Sequence, residues 1–174
     1  SPPFCYMPDT AAGGYSAESL VREAVIVGGK VYEQIVNSEY TVSAVEEVFG
    51  YPSSRYAGIP LLSGERTLFL TGKIDRVDVS GEYSRVIDYK TGSSDTSEES
   101  YYTGRKLQLG LYLTAASRGG KPAGAYYFPA KAGFSKAGEE PFRMEGFTAG
   151  EDEVVRLSDK DVQPGEVSRY INAS

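Results

Sequence analysis

The chain has 174 residues, with 18 Lys and Arg against 24 Asp and Glu, for a formal net charge of −6. Its 40% apolar and 24% charged residues suit one folded domain with a core. One cysteine and no histidine exclude an internal disulfide framework, a thiolate metal cluster, zinc-hydrolase chemistry and a Ser-His-Asp triad. Any metal must then sit among oxygens, which favours magnesium, manganese or calcium. No apolar run approaches the ~18–20 residues of a membrane span and no signal-peptide pattern opens the chain, so no membrane attachment is expected. A free-standing nucleic-acid binder is more often basic; the acidic balance disfavours such a protein acting alone, though not one whose binding path is built by a larger assembly.

Residues 1–15 are rich in Pro, Gly and small residues and read as an irregular N-terminal arm, leaving 16–174 as a single domain. From Ser16, a plausible N-cap, apolar residues fall at Leu20, Ala24, Val27, Val31 and Ile35, which is helical spacing. Gly28-Gly29 interrupts it and predicts two shorter helices or a junction. Thr41–Phe49 has strand character, and Leu68–Val79 and Tyr83–Lys90 read as a longer pair joined by a turn at Ser80-Gly81-Glu82. In the second of these, alternation places Val86, Asp88 and Lys90 on one face and Ile87 and Tyr89 on the other. Residues 91–100 are polar and loop-like, and a helix over Tyr102–Arg118 is stopped by Gly119-Gly120 and Pro122. Ala123–Ala130 reads as a further strand, 131–141 as a loop and Arg143–Phe147 as a short strand; the remainder is weakly patterned, and no internal repeat is visible.

The chemistry concentrates in GKIDRVDVSGEYSRVIDYKTG. Asp88 lies thirteen positions after Asp75, and Lys90 two after that, on what read as adjacent strands. A lone Asp-x-Lys is most often a solvated edge, but the flanking Ile74, Val77, Val79, Val86 and Ile87 argue for strands buried on at least one face. Hydrolysis of a phosphodiester needs an in-line water and neutralisation of charge developing on phosphorus and the leaving oxygen, which divalent ions supply. Magnesium keeps several waters and needs few protein carboxylates, so Asp75 and Asp88 suffice as metal ligands, with the Tyr89 carbonyl as a third oxygen. Lys90 shares the face of Asp88, where a charged ammonium can hold the attacking water or the phosphate. Near two carboxylates it is expected to stay protonated rather than serve as a neutral base. On the following helix Arg105, Gln108 and Tyr112 share one face, able to meet a phosphate backbone and orient Lys90, while Leu107, Leu109, Leu111 and Leu113 can bury the other side. Lys73, Arg76, Arg85, Lys90, Arg105 and Lys106 surround the acids, and Arg76, Arg105 and Lys106 are candidate DNA contacts.

The order G-x-I-D-R-x-D, then R-V-I-D-Y-K-T-G, then K-L-Q-L-x-L-Y-L resembles the PD-(D/E)xK nuclease superfamily. The closest branch is the RecB-like nuclease domain of AddB subunits in AddAB-type ATP-dependent helicase–nucleases. Asp75 matches the first motif acid, Asp88 the D/E position, Lys90 the lysine, and Gln108 and Tyr112 the Q-x-x-x-Y element. Val45–Gly50 resembles the family's E-x-x-F-G strand, with Glu46 in the acidic position. Ala123–Phe128 resembles its P-A-G-x-x-Y-F strand, and Glu166–Ile171 a later element, so the likeness covers roughly 42–171. It implies an α/β fold, a central mixed β-sheet flanked by helices with a restriction-endonuclease-like core. It also implies a magnesium- or manganese-dependent DNA exonuclease in a helicase–nuclease that processes double-strand break ends, with DNA and a helicase–nuclease partner subunit as partners and a cytoplasmic location.

Two departures from the family pattern stand out. The four cysteines that bind an iron–sulfur cluster in AddB proteins are missing, which truncation before a C-terminal cysteine cluster explains; the cluster then belongs to a full-length protein and not to this fragment. The histidine that RecB-like nucleases carry on an upstream helix is also absent, with Glu33 a weak substitute there. No GxxxxGK[ST] phosphate loop occurs, so ATP hydrolysis would lie in other segments. The competing readings are a catalytically inactive DNA-binding or scaffolding module on a nuclease fold, and a stand-alone exonuclease related to CRISPR-adaptation nucleases.

Overall fold

Tyr83–Lys90, the segment that carries Asp88 and Lys90, is a central strand of a six-stranded sheet in a computed structural model that describes residues 11–92, 107–130, 142–163 and 165–172. In chain order the elements are α1 (Ala11–Val36), β1 (Thr41–Phe49), β2 (Ile59–Ser63), β3 (Arg66–Leu70), β4 (Gly72–Ser80) and β5 (Tyr83–Lys90). Then come α2 (Gln108–Ala116), β6 (Lys121–Pro129), β7 (Met144–Thr148), α3 (Asp152–Ser158) and β8 (Ile171–Asn172). The sheet order is β1-β4-β5-β6-β7-β8. It is mixed: β4 pairs antiparallel with β1 and β5, β6 runs parallel to β5, and β7 antiparallel to β6. A parallel neighbour requires a crossover, and α2 lies in the one that joins β5 to β6. The α/β fold with a mixed central sheet is as expected.

Alternation along β5 divides the core. Val86 joins Val77, Ala125, Tyr127 and Leu109 of α2 on one face. Ile87 joins Tyr126, Phe128, Met144 and Ile171 on the other, where Val27 and Val31 of α1 pack. The two helices therefore cover opposite faces of the same strands. Of the four leucines around α2, Leu109 is fully buried and Leu111 and Leu113 pack against the core, whereas Leu107 is exposed.

Four expectations are corrected. The helix begins at Ala11, so residues 11–15 are not an irregular arm and Ser16 lies inside the helix rather than capping it; residues 1–10 lie outside the described residues. Gly28-Gly29 does not split α1, because Val27 and Val31 on either side are anchored on the sheet and offset the low helix propensity of glycine. The expected single strand Leu68–Val79 is two strands. Thr71 separates them, β3 leaving to pair with β2 in a two-stranded sheet of its own. The break is closely packed: a Cβ on Gly50 would meet Thr71, and a Cβ on Gly72 would enter the Phe49 ring. Finally, α2 ends at Ala116, with Gly119 (φ 95°) in the turn that follows; the 102–106 part of the expected helix lies outside the described residues. The weakly patterned C-terminal region holds α3 and β8. There Asp159 is sealed by Arg169, whose Nη2 lies 2.9 Å from Oδ1 and whose backbone N–H donates to Oδ2 at 2.9 Å. Burial opposes that ionised carboxyl, but the Arg169 hydrogen bonds outweigh it and hold Asp159 below the usual aspartate range.

A Cβ placed on Gly28 or Gly29 meets nothing within 4 Å. Gly28→Ala and Gly29→Ala are therefore expected to stabilise the protein by about 0.5–1 kcal/mol each. Urea unfolding should show a raised midpoint at unchanged slope; a lowered midpoint would mean that the helix needs the flexibility of its paired glycines.

Candidate active site

Strand β5 ends on Asp88, Tyr89 and Lys90, and α2 begins on Gln108, so the polar end of the helix meets the polar end of the strand. The three side chains of Asp88, Lys90 and Gln108 close a ring. Gln108 Nε2 donates to Asp88 Oδ1 at 3.0 Å, Lys90 Nζ donates to Gln108 Oε1 at 3.2 Å, and Nζ lies 2.6 Å from Asp88 Oδ2. Gln108 Nε2 also donates to the Tyr112 hydroxyl at 3.0 Å, one helical turn along. Tyr112 is braced in turn by Phe49, edge to face at 6.0 Å.

Asp75 enters from β4. The β4–β5 ladder runs from Ser80↔Tyr83 to Arg76↔Ile87. The next step of that register sets Asp75 opposite Asp88, and there the ladder stops. In place of a strand carbonyl, Asp75 Oδ2 accepts the Tyr89 N–H at 3.0 Å. The Lys90 carbonyl accepts from Ala130 N–H at 2.7 Å on the β6 side. Because successive residues of a strand direct their peptide groups to opposite neighbours, the Tyr89 carbonyl faces the β4 side, where Asp75 lies.

The charges are partly withdrawn from water. Burial pushes the Asp88 carboxyl above the ordinary aspartate range; Lys90 opposes this and Asp75 adds to it. Lys90 loses hydration, which disfavours its charge, but Asp88 more than compensates and its ammonium is strengthened. It is a cation at neutral pH, not a base. The Asp88 Oδ2 atom is buried, and its ion-pair partner is Lys90 Nζ at 2.6 Å. A buried carboxylate oxygen beside a second carboxylate fits a hard cation that retains most of its waters. Among the described residues no group of three acidic, histidine or cysteine side chains converges on a metal site. The oxygens available are those of Asp75, Asp88 and the Tyr89 backbone.

The remaining candidates separate. Arg76 is corrected: it is 2% exposed, and its Nε and Nη2 both donate to Asp78 at 2.7 Å, so it is an interior residue rather than a DNA contact. Arg85 is equally buried and bound to Asp78. Arg105 and Lys106 lie outside the described residues. Glu46, with φ 53°, pairs with Lys73, and Glu33 pairs with Lys30 at 2.8 Å on α1. One contact is missing from the sequence reading: Lys90 Nζ lies 5.2 Å from the centre of the Tyr127 ring. Alternation in β6 could have found it, since Tyr127 is in register with Asp88.

A sequence profile described as the PD-(D/E)XK nuclease superfamily matches residues 14–168, a span that takes in both strands, α2 and all five side chains of this cluster. The chain belongs to the PD-(D/E)XK nuclease superfamily. Similar curated proteins are named as one subunit of an ATP-dependent helicase/deoxyribonuclease. That of Thermoanaerobacter sp. (strain X514) is 31% identical over 172 residues, covering 85% of this chain and 15% of the relative. That of Acetivibrio thermocellus is 32% identical over 181 residues, covering 88% and 16%, and that of Symbiobacterium thermophilum is 39% identical over 111 residues, covering 56% and 10%. The chain thus spans about 15% of the length of such relatives. Among its described residues, no helix is long and apolar enough to cross a membrane.

Proposed function

We propose that this PD-(D/E)XK chain is a divalent-metal-dependent deoxyribonuclease that hydrolyses phosphodiester bonds, working within a helicase–nuclease that processes double-strand break ends for recombinational repair. The observation that carries the reading is the closed Asp88–Lys90–Gln108 ring beside Asp75. The larger activity is suggested by the names of the relatives, and a cytoplasmic location with DNA and a helicase–nuclease partner follows from that reading. Asp75, Asp88 and the Tyr89 carbonyl would hold magnesium or manganese, which when bound lowers the pKa of water and offsets charge on phosphate. The chain's own residues do the rest. The Lys90 ammonium faces the charge that develops as water attacks phosphorus and the P–O bond to the leaving oxygen breaks. Gln108 fixes Lys90 and Asp88 at once through the two ends of its amide, and Tyr112 fixes Gln108.

The competing reading, an inactive scaffold on the same fold, draws on the net charge of −6. Incubating the protein with end-labelled DNA and magnesium or manganese separates the two. Cleavage that a chelator stops is expected, and intact DNA under every ion would favour the scaffold. Within the active protein, Gln108→Ala is expected to lower cleavage about 10²-fold without unfolding the helix. A loss no greater than that of an exposed control such as Arg118→Ala would remove Gln108 from the site.

A further inference from the structure

Lys90 is held at its tip by two partners, of which the charged one is also the expected cation ligand. Asp88 Oδ2 lies 2.6 Å away but is also the buried oxygen best placed for a cation, and Gln108 Oε1 accepts at 3.2 Å. A lysine stem is flexible, and this side chain keeps 35% exposure, so an ammonium whose carboxylate partner turns to another cation is left with one neutral acceptor, Gln108 Oε1, in competition with water. The third contact has no competing duty. Tyr127 is 2% exposed, in register with Asp88, and locked among Leu109, Ala125 and Val86, with its ring 5.2 Å below Nζ. The negative face of an aromatic ring attracts a cation more strongly as water is excluded. A ring fixed by the core costs no reorganisation when it acts.

We propose that Tyr127 is the positioning residue of this site, its ring face retaining the Lys90 ammonium beside the Asp75–Asp88 pair whichever cation Asp88 engages. The consequence for cleavage rests on the nuclease reading; the contact itself does not. Its working part is the ring and not the hydroxyl, so Tyr127→Phe should preserve function and Tyr127→Leu should not.

Two measurements on the protein test this. With isotope-labelled lysine, the ε-methylene signals of Lys90, assigned by their loss in Lys90→Arg, should lie upfield of the other lysines through the ring current. Tyr127→Phe should keep that displacement and Tyr127→Leu abolish it, with or without magnesium. In cleavage assays Tyr127→Leu should lower kcat about tenfold at little-changed KM, the loss that a partly desolvated cation–ring contact allows. Phenylalanine carrying one, two and three ring fluorines at position 127 should lower kcat in steps while thermal stability stays level, because fluorination weakens the ring face at nearly constant shape. A Lys90 signal with no ring-current displacement, or one unmoved by Tyr127→Leu, overturns the contact. A displaced signal with kcat flat across the fluorinated series overturns the positioning role while leaving the nuclease intact. A displaced signal in a wild-type protein that binds magnesium yet cleaves nothing overturns the nuclease reading, and the role assigned to Tyr127 with it.

Discussion

Asp88→Ala is expected to abolish both divalent-cation binding and DNA cleavage while the protein remains folded. The reasoning separates stability from function. Burial already disfavours the Asp88 charge, so the native fold gains little from holding an ionised group there. The partners left behind are not stranded: Lys90 is exposed enough to be hydrated, and Gln108 Nε2 keeps the Tyr112 hydroxyl. Loss of this one carboxylate leaves only Asp75 and a backbone carbonyl on the cation, too few fixed oxygens to compete with water for magnesium. Calorimetric titration should therefore show magnesium or manganese binding in the wild type and none in the variant. A ligand that binds only the native state raises its stability, so the wild-type melting temperature should rise with magnesium and that of the variant should not. Asp88→Asn should behave like Asp88→Ala in binding, since the shape is kept and the charge removed. A variant that fails to fold would make Asp88 a structural residue, and one that binds magnesium as wild type does would move the cation elsewhere.

What is legible in the sequence depends on how local the cause is. β5 is buried continuously from Tyr83 to Asp88, as its apolar Val86-Ile87 centre suggests, and the two-residue period of a strand places Asp88 and Lys90 together on the face covered by α2. Gln108 and Tyr112 are legible as a pair because four residues is one helical turn, and a hydrogen bond joins them. Strand β2 is hidden: it holds Pro60, which normally argues against a strand, and it survives at a sheet edge, since among the described residues it pairs with β3 alone. The break at Thr71 is hidden because β3 and β4 take different partners, β2 and β1, a matter of long-range pairing that the apolar run does not encode. Arg76 misleads for a general reason. An arginine beside an acidic motif is by default a surface group, and only its pairing with Asp78, two residues on and on the same strand face, takes it inside. The C-terminal element Glu166–Ile171 is weakly patterned locally, and its anchors are distant in sequence: the Asp159 carboxylate, which Arg169 seals, and the β7 strand and core, which take Ile171.

That inward arginine leads to the largest expected effect on stability. Asp78→Ala should destabilise the protein by about 3–5 kcal/mol, the loss typical of removing one member of a buried ion pair. Asp78 is fully buried between two guanidinium groups, accepting from Arg76 Nε and Nη2 at 2.7 Å and from Arg85 Nε at 2.9 Å. Two cations thus share one carboxylate, and burial already pulls the Arg85 guanidinium below its ordinary range. The remaining support is weaker: Arg85 stacks 4.0 Å over the Tyr40 ring and donates to Ser158 Oγ at 3.2 Å. Without Asp78, both arginines must either stay as unpaired buried charges or tear open the face on which α1 and α3 pack. Urea unfolding should show the loss against Asp161→Ala, which removes an exposed partner of Arg169 and should cost no more than about 0.5 kcal/mol. If the two variants unfold together, the buried network contributes nothing beyond its shape. Replacing the whole group with apolar residues of like volume is the stricter comparison, because such swaps are often neutral when no charge is left alone. The network also reaches the candidate active site: Arg76 Nη1 donates to the Tyr89 hydroxyl at 3.3 Å, and the Tyr89 N–H is the donor that holds Asp75. Asp78 therefore braces, from the opposite side of the sheet, the strand end on which Asp75 and Asp88 meet.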